Sequence, residues 1–133
     1  MKTPVVESHL TWDPIDPSAW HRGTLDAKDG ASVEFLGVVR ALEEGRPITH
    51  LNYEAYEPMA DRLIERWVQE AARRWSLHRV SLLHRVGPVA VGEVAVAIGV
   101  EAAHREEAFE ACRFLIEKIK QEAPIWKKPV LPL

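Results

Sequence analysis

An α+β fold, with helices on one side of a largely antiparallel or mixed sheet, is what this sequence predicts. Three observations carry it. Valine-rich segments alternate apolar with small or polar residues at strand spacing. Two longer stretches, Pro58 to Trp75 and His104 to Lys120, repeat apolar residues at helical spacing instead. Their order, two strands then a helix, repeated, with a last strand around Trp126, alternates sheet and helix over one core.

Length and composition bound the rest. At 133 residues the chain reads as one domain, 1–133, large enough to bury a real core. A formal net charge of −3 argues against general nucleic-acid binding, although the chain ends on a locally basic stretch. No apolar run approaches a membrane span, and Met1-Lys2-Thr3-Pro4 lacks a signal-peptide core. The single cysteine excludes an internal disulfide framework and fits a reducing compartment, so the cytoplasm is the expected location.

Val5 to Trp12 reads as a first strand. Asp16-Pro17 then starts a short helix ending near Gly23, with Asp as cap and Pro at the first helical position. After the Asp29-Gly30 turn, Ala31 to Arg40 is a strand that ends in a charge at the mouth of a loop, Glu43 to Pro47. Ile48 to Tyr56 alternates as a half-buried strand, expected to pair with 31–40 as a hairpin. Pro58 opens a helix with Met59, Leu63, Trp67 and Ala71 four apart on its apolar side, and Ile64 and Val68 beside them. His78 to Val86 is a strand broken by Gly87-Pro88, and Gly92 to Glu101 is the next. There Val94, Val96, Ile98 and Val100 share one face. Ala95, Ala97 and Gly99 thin the other, which invites close approach by a partner surface.

The last helix holds the candidate chemistry. Ala108, Cys112, Leu115 and Ile119 form its stripe, widened by Phe109 and Ile116, and Pro124 stops it. His104 and Arg105 stand at its start, where free backbone N–H groups favour an anion. Lys120 and Lys127 flank the proline break, so helical geometry does not relate them. On chemistry alone they read as solvated lysines near a helix end. Taken with Arg40, His104 and Arg105, they form a cationic set suited to a phosphorylated substrate. No glycine-rich phosphate loop, dinucleotide fingerprint or nucleophile elbow is present. His78 and His84 lack a completing ligand set, so no metal is expected. Cys112 lies on the apolar stripe and reads as packing. Tyr53, Glu54 and Tyr56 on one strand offer a cleft lining, against which packing is the favoured reading for strand tyrosines.

Several ordered motifs narrow this further. They are Phe35-Leu36-Gly37-Val38-Val39-Arg40, Leu51 through Ala60, His84-Arg85-Val86-Gly87, Val91-Gly92-Glu93, His104-Arg105, Ala108-Phe109, and Lys120 with Pro124-Ile125-Trp126-Lys127-Lys128. Together they resemble the catalytic large subunit of molybdopterin synthase, from about residue 30 to 128. The resemblance implies a hammerhead-like α/β fold, no cofactor, and sulfur insertion into cyclic pyranopterin monophosphate to form a dithiolene. The sulfur would arrive as the C-terminal thiocarboxylate of a small ubiquitin-like subunit, on a homodimer within a heterotetramer. It implies catalytic roles for Lys120 and Lys127. Substrate contacts fall to Val38, Val39, Arg40, His104, Arg105, Lys128 and Pro129, with His104 and Arg105 serving the same or the neighbouring subunit's site. Val38 and Pro129 depart from the family's usual polar and acidic residues. The competing readings are a non-catalytic module that docks the carrier, and a module for another phosphorylated ligand.

Overall fold

The computed structural model describes residues 4–18 and 25–133. Two main sheets and one two-stranded hairpin hold the strands. The larger has β1 (Val5–Thr11) at one edge, then β6 (Arg79–Arg85), β8 (Val94–Ala102) and β2 (Ala31–Val38). β1 runs parallel to β6 and the other neighbours are antiparallel, so the sheet is mixed as expected. The smaller sheet is antiparallel, with β5 (His50–Ala55) between β7 (Gly87–Ala90) and β9 (Ile125–Val130). Between β2 and β5 lies a tight hairpin of two-residue strands, β3 (Leu42–Glu43) and β4 (Arg46–Pro47).

The helices α1 (Glu57–Arg74) and α2 (Arg105–Glu122) pack on one face of the larger sheet. Val96, Ile98 and Val100 of β8 meet Leu115 and Ile119 of α2 and Ile64 and Val68 of α1 in the main core. Each fully buried side chain of this size contributes about 1.5–3 kcal/mol by leaving water. The stripe of α1 holds as expected at Ile64, Trp67, Val68 and Ala71 and departs from expectation at Met59. Ala60, Ile64, Trp67, Val68, Ala71 and Ala72 are buried, while Met59 is 50% exposed. A strict every-fourth row advances about 40° per step around a helix of 3.6 residues per turn, so its end drifts off the core. Phe109 likewise does not widen the α2 stripe; it lies on the solvent side, 60% exposed.

The expected hairpin between residues 31–40 and 48–56 does not form. β2 pairs with β8 and β5 with β7 and β9, in different sheets. The register of β2 on β8 slips at Gly37/Val38, and there the chain leaves the larger sheet. The β3–β4 turn then reverses it, with Glu44 (φ 51) and Gly45 (φ 78) both in the left-handed region that such a two-residue turn demands. Gly87-Pro88 also redirects rather than breaks. Gly87 (φ 86) lets β6 pass from one sheet into β7 of the other.

The thin side of β8 is not open to a partner. All nine residues of the strand are buried within this chain. Ala95 packs with Val39, Ile48, Leu51 and Val89, and Ala97 with Ile15, Leu36 and Leu83. Val94 joins that side too, displaced from its expected Val96 face by the same register slip. Near the N-terminus, Asp16 caps a turn by accepting from the Ser18 N–H at 2.9 Å. The rest of the expected short helix to Gly23 lies outside the described residues.

Candidate active site

Lys120 occupies the last turn of α2, which ends because Pro124 draws Ala123 into extended geometry (φ −69, ψ 134). The Pro124 carbonyl accepts the Tyr56 N–H at 3.0 Å, so the chain turns directly into β9. There Lys127 pairs in register with Tyr53 of β5. The proline break thus folds the two lysines back toward each other. Both line a cleft of about 460 Å³ together with Val38, Val39 and Arg40 from the end of β2. Its floor is apolar, with Leu51, Ala95, Ile116 and Ile119 among its residues.

Polar groups in the cleft are specifically held. Lys127 Nζ lies 2.9 Å from Glu43 Oε1, so the β3–β4 hairpin orients this ammonium. Tyr53 and His84 stack edge to face, centroids 5.2 Å apart at 77°. Burial raises the Tyr53 phenol above its ordinary pKa, helped by the Glu43 carboxylate, which keeps it protonated at neutral pH. Burial lowers the pKa of His84, partly opposed by the bond from Nδ1 to the Arg85 carbonyl at 2.7 Å. A carbonyl only accepts, so Nδ1 carries the proton and the ring is neutral.

Other expected site residues lie elsewhere. Lys128 points to the opposite side of β9 from Lys127, as strand alternation requires, and pairs with Glu54 at 3.1 Å. Pro129 is exposed opposite Leu51 on the edge strand, where a missing N–H is tolerated. His104 and Arg105 sit at the far end of α2, about 22 Å of helix rise from Lys120. With Gly30 and Ala103 they line a separate shallow groove, and His104 contacts Glu107 at 3.2 Å.

A family model described as "MoaE protein" matches residues 10–122, which include Val38, Val39, Arg40, Tyr53, His84 and Lys120. The chain belongs to the MoaE family, the catalytic large subunits of molybdopterin synthase. Family members are sulfurtransferases that insert sulfur into a pyranopterin. This MoaE chain is 44% identical over 101 residues to the molybdopterin synthase catalytic subunit of Arabidopsis thaliana, covering 76% of the chain and 51% of that relative. It therefore spans about half the length of the plant protein. The crystal structure of molybdopterin synthase from Staphylococcus aureus superposes with a TM-score of 0.83 at 35% identity, over 92% of this chain and 90% of that one. A complex of subunits 1 and 2 of molybdopterin-converting factor from Helicobacter pylori aligns at 27% identity and a TM-score of 0.65, over 78% and 72%. These neighbours place the MoaE chain in the expected α+β class.

Two cleft residues of this MoaE chain, Glu43 and His84, escaped sequence reasoning as site residues, and Tyr53, weighed as a cleft residue but read as packing, lines the cleft. Glu43 reads as part of a solvated loop until the hairpin closes on Lys127. His84 did leave a signal, as a polar side chain in the inward row Val80, Leu82, His84. Away from the cleft, Asp26, Asp29 and His78 bring possible metal-ligand atoms within 4.8 Å of one another. Both ring nitrogens of His78 already contact those carboxylates, at 3.2 Å and 2.7 Å. Among the described residues, no helix is long and apolar enough to cross a membrane.

Proposed function

We propose that the Lys120–Lys127 cleft is where cyclic pyranopterin monophosphate receives sulfur from the C-terminal thiocarboxylate of a small ubiquitin-like carrier subunit, forming the dithiolene. Arg40, with Val38 and Val39, holds the anionic substrate, and Lys120 and Lys127 act at the acyl carbon that gives up the sulfur. One observation supports this above the rest: cations from three separate elements line a single cleft. Phosphate and thiocarboxylate are both anions, and convergent ammonium and guanidinium groups offset their mutual repulsion.

In this reading His104 and Arg105 complete the site of a second copy, because the helix carries them too far from their own Lys120 to share its cleft. The assembly is then a homodimer that binds two carriers, a heterotetramer. The whole of residues 1–133 acts as one domain, in the cytoplasm. The test is reconstitution with a thiocarboxylated carrier and the cyclic precursor, with both products read by mass. Dithiolene formation and return of the carrier as carboxylate are expected. A carrier that binds but keeps its sulfur would leave only the docking-module reading.

A further inference from the structure

Arg40, Lys120 and Lys127 bring positive charge to the cleft, and one buried group there has the opposite character. His84 is 4% exposed and lines the cleft. Its Nδ1–H is turned onto the Arg85 carbonyl at 2.7 Å, and its ring is braced edge-on by Tyr53. That leaves Nε2 as the nitrogen available to a ligand, and in this tautomer Nε2 is a lone-pair acceptor.

An acceptor is the wrong partner for either anion of the proposed reaction. Phosphate and thiocarboxylate present lone pairs of their own, and two acceptors facing each other repel. The part of the proposed substrate that carries N–H donors is its pterin ring system. We infer that His84 is a specificity residue of this cleft, its Nε2 accepting an N–H hydrogen bond from the uncharged pterin while the cations hold the phosphate. The Arg85 carbonyl fixes the tautomer, so the acceptor is formed before the ligand arrives. Burial that lowers the imidazole pKa keeps it available at neutral pH. Among the described residues, Arg40, Glu43, Tyr53, Lys120 and Lys127 are the other titratable groups lining the cleft, and Glu43 is the one carboxylate. The inference takes its ligand from the sulfur-transfer reading, yet needs no sulfur chemistry to be tested.

The experiment measures equilibrium binding of two separate probes, a plain pterin and inorganic phosphate, to the full chain. His84→Phe keeps the ring and removes the acceptor; His84→Gln places an amide oxygen near the Nε2 position. Pterin binding should weaken about tenfold or more in His84→Phe and by less than about threefold in His84→Gln, as expected for a ligand N–H left unpaired. Phosphate binding should stay within about twofold of the parent in both. Equal loss of both probes would mean that His84 only supports the fold, and unchanged pterin binding in His84→Phe would overturn the inference directly. Imidazole ¹⁵N shifts of the unsubstituted protein give a check that needs no variant: a proton on Nε2 rather than Nδ1 would also overturn it. If the parent binds pterin with this pattern but transfers no sulfur, the sulfur-transfer reading fails and the His84 assignment stands. If it transfers sulfur while His84→Phe binds pterin normally, the reverse holds.

Discussion

Replacing Lys120 separates a chemical role from a merely electrostatic one. The side chain is exposed at the last turn of α2, outside the buried stripe of Leu115 and Ile119. Surface substitutions of this kind change stability by about 0.5 kcal/mol or less, which moves the melting temperature of a domain this size by under about 3 °C. A lysine that moves a proton or attacks an acyl carbon acts chiefly in the transition state, and its loss should cost about 10²–10⁴ in rate, or roughly 2.7–5.4 kcal/mol. Lys120→Ala should therefore fold like the parent, bind precursor, and lose nearly all turnover. Lys120→Arg keeps the positive charge, but a guanidinium stays protonated and serves as neither nucleophile nor base. The assay is single-turnover sulfur transfer from thiocarboxylated carrier, alongside precursor binding and thermal melting for each variant. If Lys120→Arg turns over within about threefold of the parent, Lys120 supplies only a positive charge and is neither nucleophile nor base.

If the protein forms the proposed homodimer with Arg105 in the neighbour's site, mixing Lys120→Ala with Arg105→Ala should restore roughly a quarter of parental activity, because random exchange makes half the dimers mixed, each with one intact site. No recovery would place Arg105 outside the neighbour's site. Leu115→Ala empties a fully buried position between α2 and the sheet and should cost about 3 kcal/mol, lowering the melting temperature by roughly 10 °C; a shift under a few degrees would contradict the packing. Cys112 is buried and its thiol is pushed up to about 11. At pH 8 about one thiol in a thousand is ionised, so native protein should resist iodoacetamide and urea-unfolded protein should react; fast native alkylation would count against the burial. His84 titrates lower folded than unfolded, so the unfolded chain binds more protons in that window and stability rises with pH. This contribution is present above about pH 6.5 and is lost as pH falls through the folded value. Urea midpoints at pH 5 and 7.5 should differ more for the parent than for His84→Gln, and equal differences would remove His84 from the account.

What the sequence determined by itself was local and periodic. The stripe Ala108, Cys112, Leu115, Ile119, the stop at Pro124, and the shared face of Val96, Ile98 and Val100 in β8 follow from backbone periods and proline geometry, which act within a few residues. Those periods sufficed for the α+β class, and the ordered motifs pointed to the family. Pairing between strands was decided only in three dimensions. β2 and β5 are separated in sequence only by the short β3–β4 hairpin yet belong to different sheets, because a register slip at Gly37/Val38 and a two-residue turn at Glu44-Gly45 send them apart. The site followed the same rule. Lys120 and Lys127 share a cleft because the Pro124 turn lays β9 against β5, and Glu43 reaches Lys127 only through the β3–β4 hairpin. His104 and Arg105, adjacent to the same helix in sequence, are kept out by its length. Helical period sets which residues share a face, but distance along the axis and the pairing of remote strands set which side chains meet, and those depend on the packing of the whole core.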